Sequence, residues 1–210
     1  MFRVLPGLHP PAALRLWPKP KIYKMNEEQV MNALRYSNIS VILHWLVAIM
    51  LVMAMVMGTT SLVNIPNDDP EKIDALKGHM IFGFLITTFM IVRLIAKMKS
   101  INPPPMVTGN ALRDKIGVSV HYILYTLVIL MGLSGFGIAV LAGIPDVILG
   151  VQGASLPETF NELLPRLAHG VIAKFIMAMV LLHVVAALYH QLVLKDNIIA
   201  RMAFGKRFKD

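Results

Sequence analysis

The sequence has no cysteine among its 210 residues. Disulfides, zinc–thiolate sites, iron–sulfur clusters and covalently attached c-type haem all need cysteine, so each of them is excluded. Charged residues are also scarce, at 15% of the chain, whereas 56% of the residues are hydrophobic. The mean hydropathy is +0.65. This balance is too apolar for an ordinary soluble domain and is typical of an integral membrane protein.

Four apolar runs are long enough to cross a bilayer, which takes about 20 helical residues. They lie near 39–63, 78–98, 116–141 and 168–194. The sequence therefore predicts an all-α membrane protein, built as a four-helix transmembrane bundle. We expect this domain to cover residues 31–202, after a basic, proline-rich and disordered tail at 1–30 and before a basic tail at 203–210.

The basic residues indicate how the chain crosses the membrane. Net charge is +8, but Lys and Arg gather at the ends of the apolar runs, which favours membrane topology over nucleic-acid binding. The first and third connections are acidic, whereas the second connection and the C-terminal tail are basic. Because Lys and Arg collect in cytoplasmic segments, both termini are predicted to be cytoplasmic. We also expect a short interfacial helix in the third connection, near 157–164.

Six of the seven histidines lie in or at the ends of the predicted spans: His44, His79, His121, His169, His183 and His190. A single buried histidine is more often a hydrogen-bonded packing residue than a ligand, but six in so small a bundle suggest a shared task. His169 and His183 are fourteen residues apart, which is close to four helical turns, so they share a helix face about 21 Å apart in depth.

The predicted topology pairs the histidines by depth. It places His79 beside His169 near the outer surface and His44 beside His183 near the inner surface. Two imidazole pairs about 20 Å apart along the bundle axis suit two stacked b-type haems, each held by two axial histidines.

The residue one turn after each histidine separates the six into two groups. A porphyrin against a helix needs a small neighbour at that position, although small residues also line helix contacts generally. His121 and His190 are followed at this offset by Tyr125 and Leu194. The other four histidines are followed by Ala or Gly: Ala48, Gly83, Ala173 and Ala187.

Two cations within the spans leave alternatives open. Arg93 lies fourteen residues after His79, on the same face, and is either a contact for a haem propionate or a snorkelling residue at a span end. Lys174 lies between His169 and His183 in sequence and either snorkels to the membrane surface or meets a propionate or the bundle interior.

The chain closely resembles the bacterial cytochrome b561 family, small four-helix di-haem proteins of the inner membrane. The matching segments span about residues 30–202. They include "RYSNISVILHW", "KGHMIFGF", "RLIAK", "HYILYTLVILMGLSG" and the most specific one, "LAHGVIAKFIMAMVLLHVVAALYHQLVLKDNIIARM". The resemblance implies that His44, His79, His169 and His183 are axial ligands of two haem b irons.

The resemblance also implies a reaction. Members with an assigned reaction are superoxide oxidases, which pass electrons from superoxide to ubiquinone, so it implies an oxidoreductase in the inner membrane with superoxide, quinone and lipid as its partners. Irons with two histidine ligands have no vacant position, which favours outer-sphere electron transfer.

Charged and titratable residues at the two ends of the predicted bundle fit this reaction to different degrees. His190, about 10 Å inward of His183, is a candidate quinone contact or proton donor, or else a water-exposed span end. The acidic outer connections oppose an anionic donor, although Lys72, Lys77 and Arg166 could form a local basic mouth.

Two other functions fit the same sequence. The chain could be a cytochrome subunit that links a redox protein partner, such as a dehydrogenase, to the quinone pool. It could also be a haem-free transporter or scaffold whose histidines handle protons or a metal.

Overall fold

The computed structural model describes residues 36–99, 111–195 and 198–202. The predicted tails at 1–30 and 203–210 lie outside these ranges, and so does the proline-rich segment 102–109. Within the described ranges the regular structure is entirely helical: α1 Asn38–Val56, α2 Pro70–Lys99, α3 Ala111–Leu141, α4 Ile144–Ile148 and α5 Leu164–Tyr189. Single π-helical turns extend α1 over Met57–Ser61 and α5 over His190–Leu194, and a 3₁₀ helix covers Ile198–Met202.

Four helices are long and apolar enough to cross a membrane: α1 and α5 with their π-helical turns, α2, and α3. This confirms the predicted all-α class and the four spans. Each helix continues past its apolar run; α2, for example, begins at Pro70 rather than near residue 78. The extra turns carry charged residues, which a helix tolerates but which do not belong to a hydrophobic span.

The long helices alternate in direction, so the bundle has two chemically different ends. One end, which we call the acidic end, holds the connections 62–69 and 142–163, which contain acidic residues and no Lys or Arg. The opposite end, which we call the basic end, holds the start of α1, the end of α2, the start of α3 and the end of α5. Lys97, Lys99, Arg113, Lys115 and Lys195 lie there.

The acidic end is fixed by contacts between its two connections and α2. Lys72 is 5% exposed, and its Nζ donates to the carbonyls of Leu62 and Ile65, both at 2.6 Å. Asn67 Nδ2 donates to the Pro157 carbonyl at 2.8 Å. These bonds satisfy partly buried carbonyls of the two connections.

The short helix in the third connection lies elsewhere than predicted. It covers Ile144–Ile148, and residues 157–163 are irregular, so the prediction of a helix at 157–164 is wrong. Gly143 takes a left-handed conformation with φ 62°, which ends α3, and Pro145 lies in the first turn of α4, where its missing N–H costs nothing.

The buried core is a layer in the middle of the bundle. It contains Val47, Met50 and Ala54 from α1, Ile86 and Met90 from α2, Tyr125 and Val128 from α3, and Ile176 from α5. The helices pack closely as α1 on α2, α2 on α3, and α3 on α5. The backbone of α5 lies close to that of α1 or α2 at few positions, so space remains between α5 and those two helices.

Candidate functional site: two histidine pairs

At the acidic end, His79 of α2 faces His169 of α5 across the space between these helices. Their ring centroids are 6.1 Å apart and their planes are inclined at 69°. His79 Nδ1 is buried and makes no hydrogen bond with the described part of the chain. His169 Nδ1 lies 3.0 Å from Ser134 Oγ of α3.

At the basic end, His44 of α1 faces His183 of α5. These ring centroids are 6.4 Å apart, with the planes inclined at 72°. The two pairs thus have nearly the same spacing and inclination at opposite ends of the bundle. Ile176, seven residues from both His169 and His183, is completely buried in the layer between the pairs.

Each pair has the spacing that one metal atom between two imidazoles requires. Metal–imidazole bonds are about 2 Å long, so a shared metal holds two ring centroids roughly 6 Å apart. No group of three or more His, Asp or Glu residues that could hold a metal occurs in the described part of the chain. The pairs therefore fit a macrocycle that brings its own equatorial nitrogen ligands and needs two axial ones, as haem does.

Glycines border the rings of the acidic-end pair. A Cβ on Gly58, in the π-helical turn after α1, would lie 3.4 Å from His79 Cε1, and a Cβ on Gly135 would lie 3.4 Å from His169 Cε1. A Cβ on Gly83, one turn after His79, would meet no atom within 4 Å. Backbone alone therefore lines part of the site, and open space adjoins α2 where a flat ring system would lie.

A cationic cluster lies near the basic-end pair. Arg93 is 9% exposed, and its Nε donates to Tyr125 Oη at 3.0 Å. Lys97 Nζ lies 4.5 Å from the ring centroid of Tyr122 and 5.2 Å from that of Tyr125. Arg93 therefore points into the bundle rather than to the membrane surface, and no carboxylate pairs with it among the described residues.

The family model of prokaryotic cytochrome b561 matches residues 35–205 of the chain. The chain belongs to the prokaryotic cytochrome b561 family. This membership establishes membrane electron transfer as the general function and haem b as the family's cofactor.

Two curated relatives of this cytochrome b561 match over most of both chains, at low identity. The chain is 26% identical over 183 residues to the probable superoxide oxidase CybB of Yersinia pestis, covering 82% of this chain and 98% of the relative. It is 25% identical over 181 residues to cytochrome b561 homolog 2 of Escherichia coli strain K12, covering 84% of this chain and 94% of the relative. No solved structure gives a significant match.

His121 is a third imidazole at the basic end of this cytochrome b561. Its ring centroid lies 5.2 Å from that of His183, with the planes at 84°. Its Nδ1 lies 2.8 Å from the Gly117 carbonyl, and because a carbonyl only accepts, that nitrogen carries the proton. His121 is thus anchored to its own helix and packs edge-on against His183.

The remaining sequence-predicted residues lie further from the pairs. His190 begins the π-helical turn at the end of α5 and is half-buried. Lys174 is exposed on the outside of the bundle, which favours the snorkelling interpretation over a place in the interior. Two of the three acidic-end cations have partners: Lys72 donates to backbone carbonyls, and Lys77 pairs with Asp74 at 3.2 Å. The third, Arg166, is half-buried and makes no hydrogen bond or ion pair with the described residues.

Two residues of the site are not apparent from the sequence. Trp45 Nε1 donates to the Met202 carbonyl at 2.7 Å, and the Trp45 ring lies 5.3 Å from that of His44, so the 3₁₀ helix docks beside the basic-end pair. Ser134 lies beside His169. Both contacts join residues far apart in the chain, and no spacing within a helix reveals them.

Proposed function

We propose that this cytochrome b561 is a di-haem superoxide oxidase of the bacterial inner membrane, which passes electrons from periplasmic superoxide to ubiquinone. The observation that supports this most strongly is the presence of one imidazole pair at each end of a single bundle, with centroid distances of 6.1 and 6.4 Å. His79 and His169 would hold one haem b, and His44 and His183 the other. When bound, each haem would supply a one-electron redox centre.

The charge difference between the two ends supports the orientation. Lys and Arg concentrate on cytoplasmic segments, so the basic end and both termini lie in the cytoplasm and the acidic end faces the periplasm. Electrons then enter beside His79 and His169 and leave beside His44 and His183. Exposed apolar side chains on all four spanning helices contact lipid.

Arg166 is the cation best placed to attract superoxide. The charges of Lys72 and Lys77 are already engaged by protein groups, whereas Arg166 lies three residues before His169 and has no described partner. A positive side chain beside the entry point raises the local concentration of an anion, even where the surrounding connections are acidic.

Arg93 would serve the basic-end site by neutralising a haem propionate. It is a buried cation without a carboxylate partner in the described chain, and its Nε is already oriented by Tyr125. A buried charge of this kind needs a counter-charge. Lys97, above the same tyrosine ring, adds a second positive charge at that end.

His190 would contact the quinone and supply a proton. Two superoxide anions give two dioxygen molecules and two electrons, and ubiquinone takes up these electrons with two protons to form ubiquinol. The π-helical turn that begins at His190 supports this role, since such turns are frequent at functional sites.

A direct assay tests the reaction. The purified chain alone is reconstituted in liposomes with ubiquinone, supplied with enzymatically generated superoxide, and followed by ubiquinol formation. We expect ubiquinol with the wild-type chain and a large loss with His169→Ala. Failure of superoxide to reduce either haem would refute the proposal.

A second candidate function follows from the acidic end itself. Its connections carry acidic side chains and no Lys or Arg, a surface that suits a basic redox protein as the electron donor. Reduction of ubiquinone that requires such a partner, with none from superoxide alone, would favour this candidate.

A haem count separates both candidates from a haem-free protein. A reduced-minus-oxidised visible spectrum with a haem assay should give two b haems per chain, and His169→Ala should retain one. A haem-free purified chain would instead favour the transporter or scaffold hypothesis.

A further inference from the structure

Helix α3 carries none of the four proposed ligands, yet one of its side chains contacts a ligand directly. Ser134 is half-buried, and its Oγ lies 3.0 Å from His169 Nδ1. The same hydroxyl donates its proton to the Met131 carbonyl at 2.8 Å. Because a hydroxyl has a single proton, Ser134 presents a lone pair to Nδ1, and Nδ1–H is the donor of the shared bond.

This bond determines which nitrogen of His169 is free. With the proton on Nδ1, the lone pair of the neutral imidazole is on Nε2, the nitrogen that a metal binds. A hydrogen bond from the far N–H of a ligating imidazole also fixes the ring orientation and raises the basicity of the ligand.

The opposing ligand lacks this support. His79 Nδ1 is buried and has no hydrogen-bond partner within residues 36–99, 111–195 and 198–202. The acidic-end pair is thus asymmetric, because α3 supports only the His169 ring. The Ser134 hydroxyl and the backbone of Gly135 lie beside the same edge of that ring. The Met131 carbonyl also accepts a hydrogen bond from His169, so Ser134 is the side-chain partner, among the described residues, through which a hydrogen bond acts on this pair.

We propose that Ser134 is the positioning residue of the acidic-end haem site: it holds His169 with Nε2 free for iron and, by strengthening this ligand, lowers the reduction potential of that haem. The inference depends on the proposed haem ligation by His79 and His169. A lower potential favours the oxidised form of the bound group, so the Ser134 hydroxyl would ease onward electron transfer from this site.

Potentiometric titration of the purified holoprotein tests this inference. The titration wave that His169→Ala removes is assigned to the acidic-end haem. Ser134→Ala should raise the ratio of reduced to oxidised haem in this wave by up to about tenfold at a fixed potential, equivalent to about 59 mV for a one-electron couple. The other wave should not move.

Two further variants make the result specific. Ser134→Thr keeps a hydroxyl that can bond both the helix carbonyl and Nδ1, so it should restore the wild-type wave. Ser119→Ala is the matched control, because Ser119 is an exposed serine on the same helix and its removal should shift neither wave.

The outcomes separate this inference from the proposed function. Unchanged waves in Ser134→Ala, equal shifts of both waves, or loss of haem in both Ser134 variants would overturn the positioning role. Loss of haem in Ser134→Ala that Ser134→Thr reverses supports it. If His169→Ala keeps both haems, the proposed ligation itself is wrong, whatever the Ser134 variants show.

Discussion

At the residue scale, the bond between Arg93 and Tyr125 shows how a charge is accommodated inside an apolar bundle. The guanidinium Nε donates to a phenol oxygen that is itself in the core, and Tyr125 is 7% exposed. A buried donor that loses its acceptor costs much more than an average hydrogen bond contributes, because the donor has no water to replace the lost partner.

Tyr125→Phe should therefore destabilise the protein. It leaves Arg93 Nε unsatisfied at nearly constant side-chain volume, so we expect a loss of about 1–3 kcal/mol in the free energy of unfolding. Tyr122→Phe is the matched control, since Tyr122 is 54% exposed and should lose little. Thermal unfolding of both variants in detergent measures the difference, and equal effects would contradict this account.

The sequence predicts how residues are arranged along one helix, but it does not predict which side chains of different helices contact each other. The fourteen-residue spacing of His169 and His183 follows from helical geometry alone, and the alternating charge of the connections suggests which histidines share a depth. The Arg93–Tyr125 bond and the Ser134–His169 contact depend on how α3 is rotated against its neighbours. That rotation is set by packing and has no periodic signal in one helix.

At the element scale, α2 and α3 approach each other at Gly132. A Cβ at this position would overlap the side chain of Thr87, whose hydroxyl donates to the Gly83 carbonyl at 2.8 Å. The bond and the β-branch hold Thr87 in one rotamer, so it cannot move aside. This contact limits how far α2 and α3 could be pushed together or apart without repacking at Thr87.

Gly132→Ala should separate these two helices. Overpacking of this kind costs about 1–3 kcal/mol of stability. Gly117→Ala on the same helix is the control, because a Cβ there meets no atom within 4 Å and alanine has the higher helix propensity, by up to about 1 kcal/mol. A chemical or thermal unfolding series that ranks Gly132→Ala at or above Gly117→Ala in stability would contradict the contact.

The sequence predicts the four spanning helices, which hydrophobicity defines, better than the short helix and turns of the connections. The four spans follow from apolar length, since a helix is the structure that satisfies its own backbone within lipid. The short helix of the third connection was predicted at 157–164, because Pro157 is typical of a helix start, but it lies at Ile144–Ile148. The carbonyl of Pro157 instead accepts a hydrogen bond from Asn67 of another connection. Turns fixed by such distant bonds leave no local pattern.

At the scale of the whole molecule, the absence of cysteine offers a direct test of orientation. A single introduced cysteine is the only thiol in the chain, so its labelling by a membrane-impermeant reagent reports its side of the membrane without background. Ser155→Cys at the acidic end should be labelled in intact cells. Lys99→Cys at the basic end should react only after lysis. Both positions are exposed, and the opposite pattern would invert the proposed direction of electron flow.

The buried layer around Ile176 has a consequence for the energetics of the membrane. The described side chains that meet there come from all four spanning helices and are apolar apart from the Tyr125 hydroxyl, so we expect an electron that crosses between the two ends to move without a proton. In the proposed orientation, negative charge alone then moves towards the cytoplasm, against an interior-negative voltage, at a cost of up to about 2.3 kcal/mol per 100 mV for a full crossing. Turnover in energised vesicles should therefore rise when an ionophore collapses the voltage, and the cytochrome would itself act as a weak generator of that voltage.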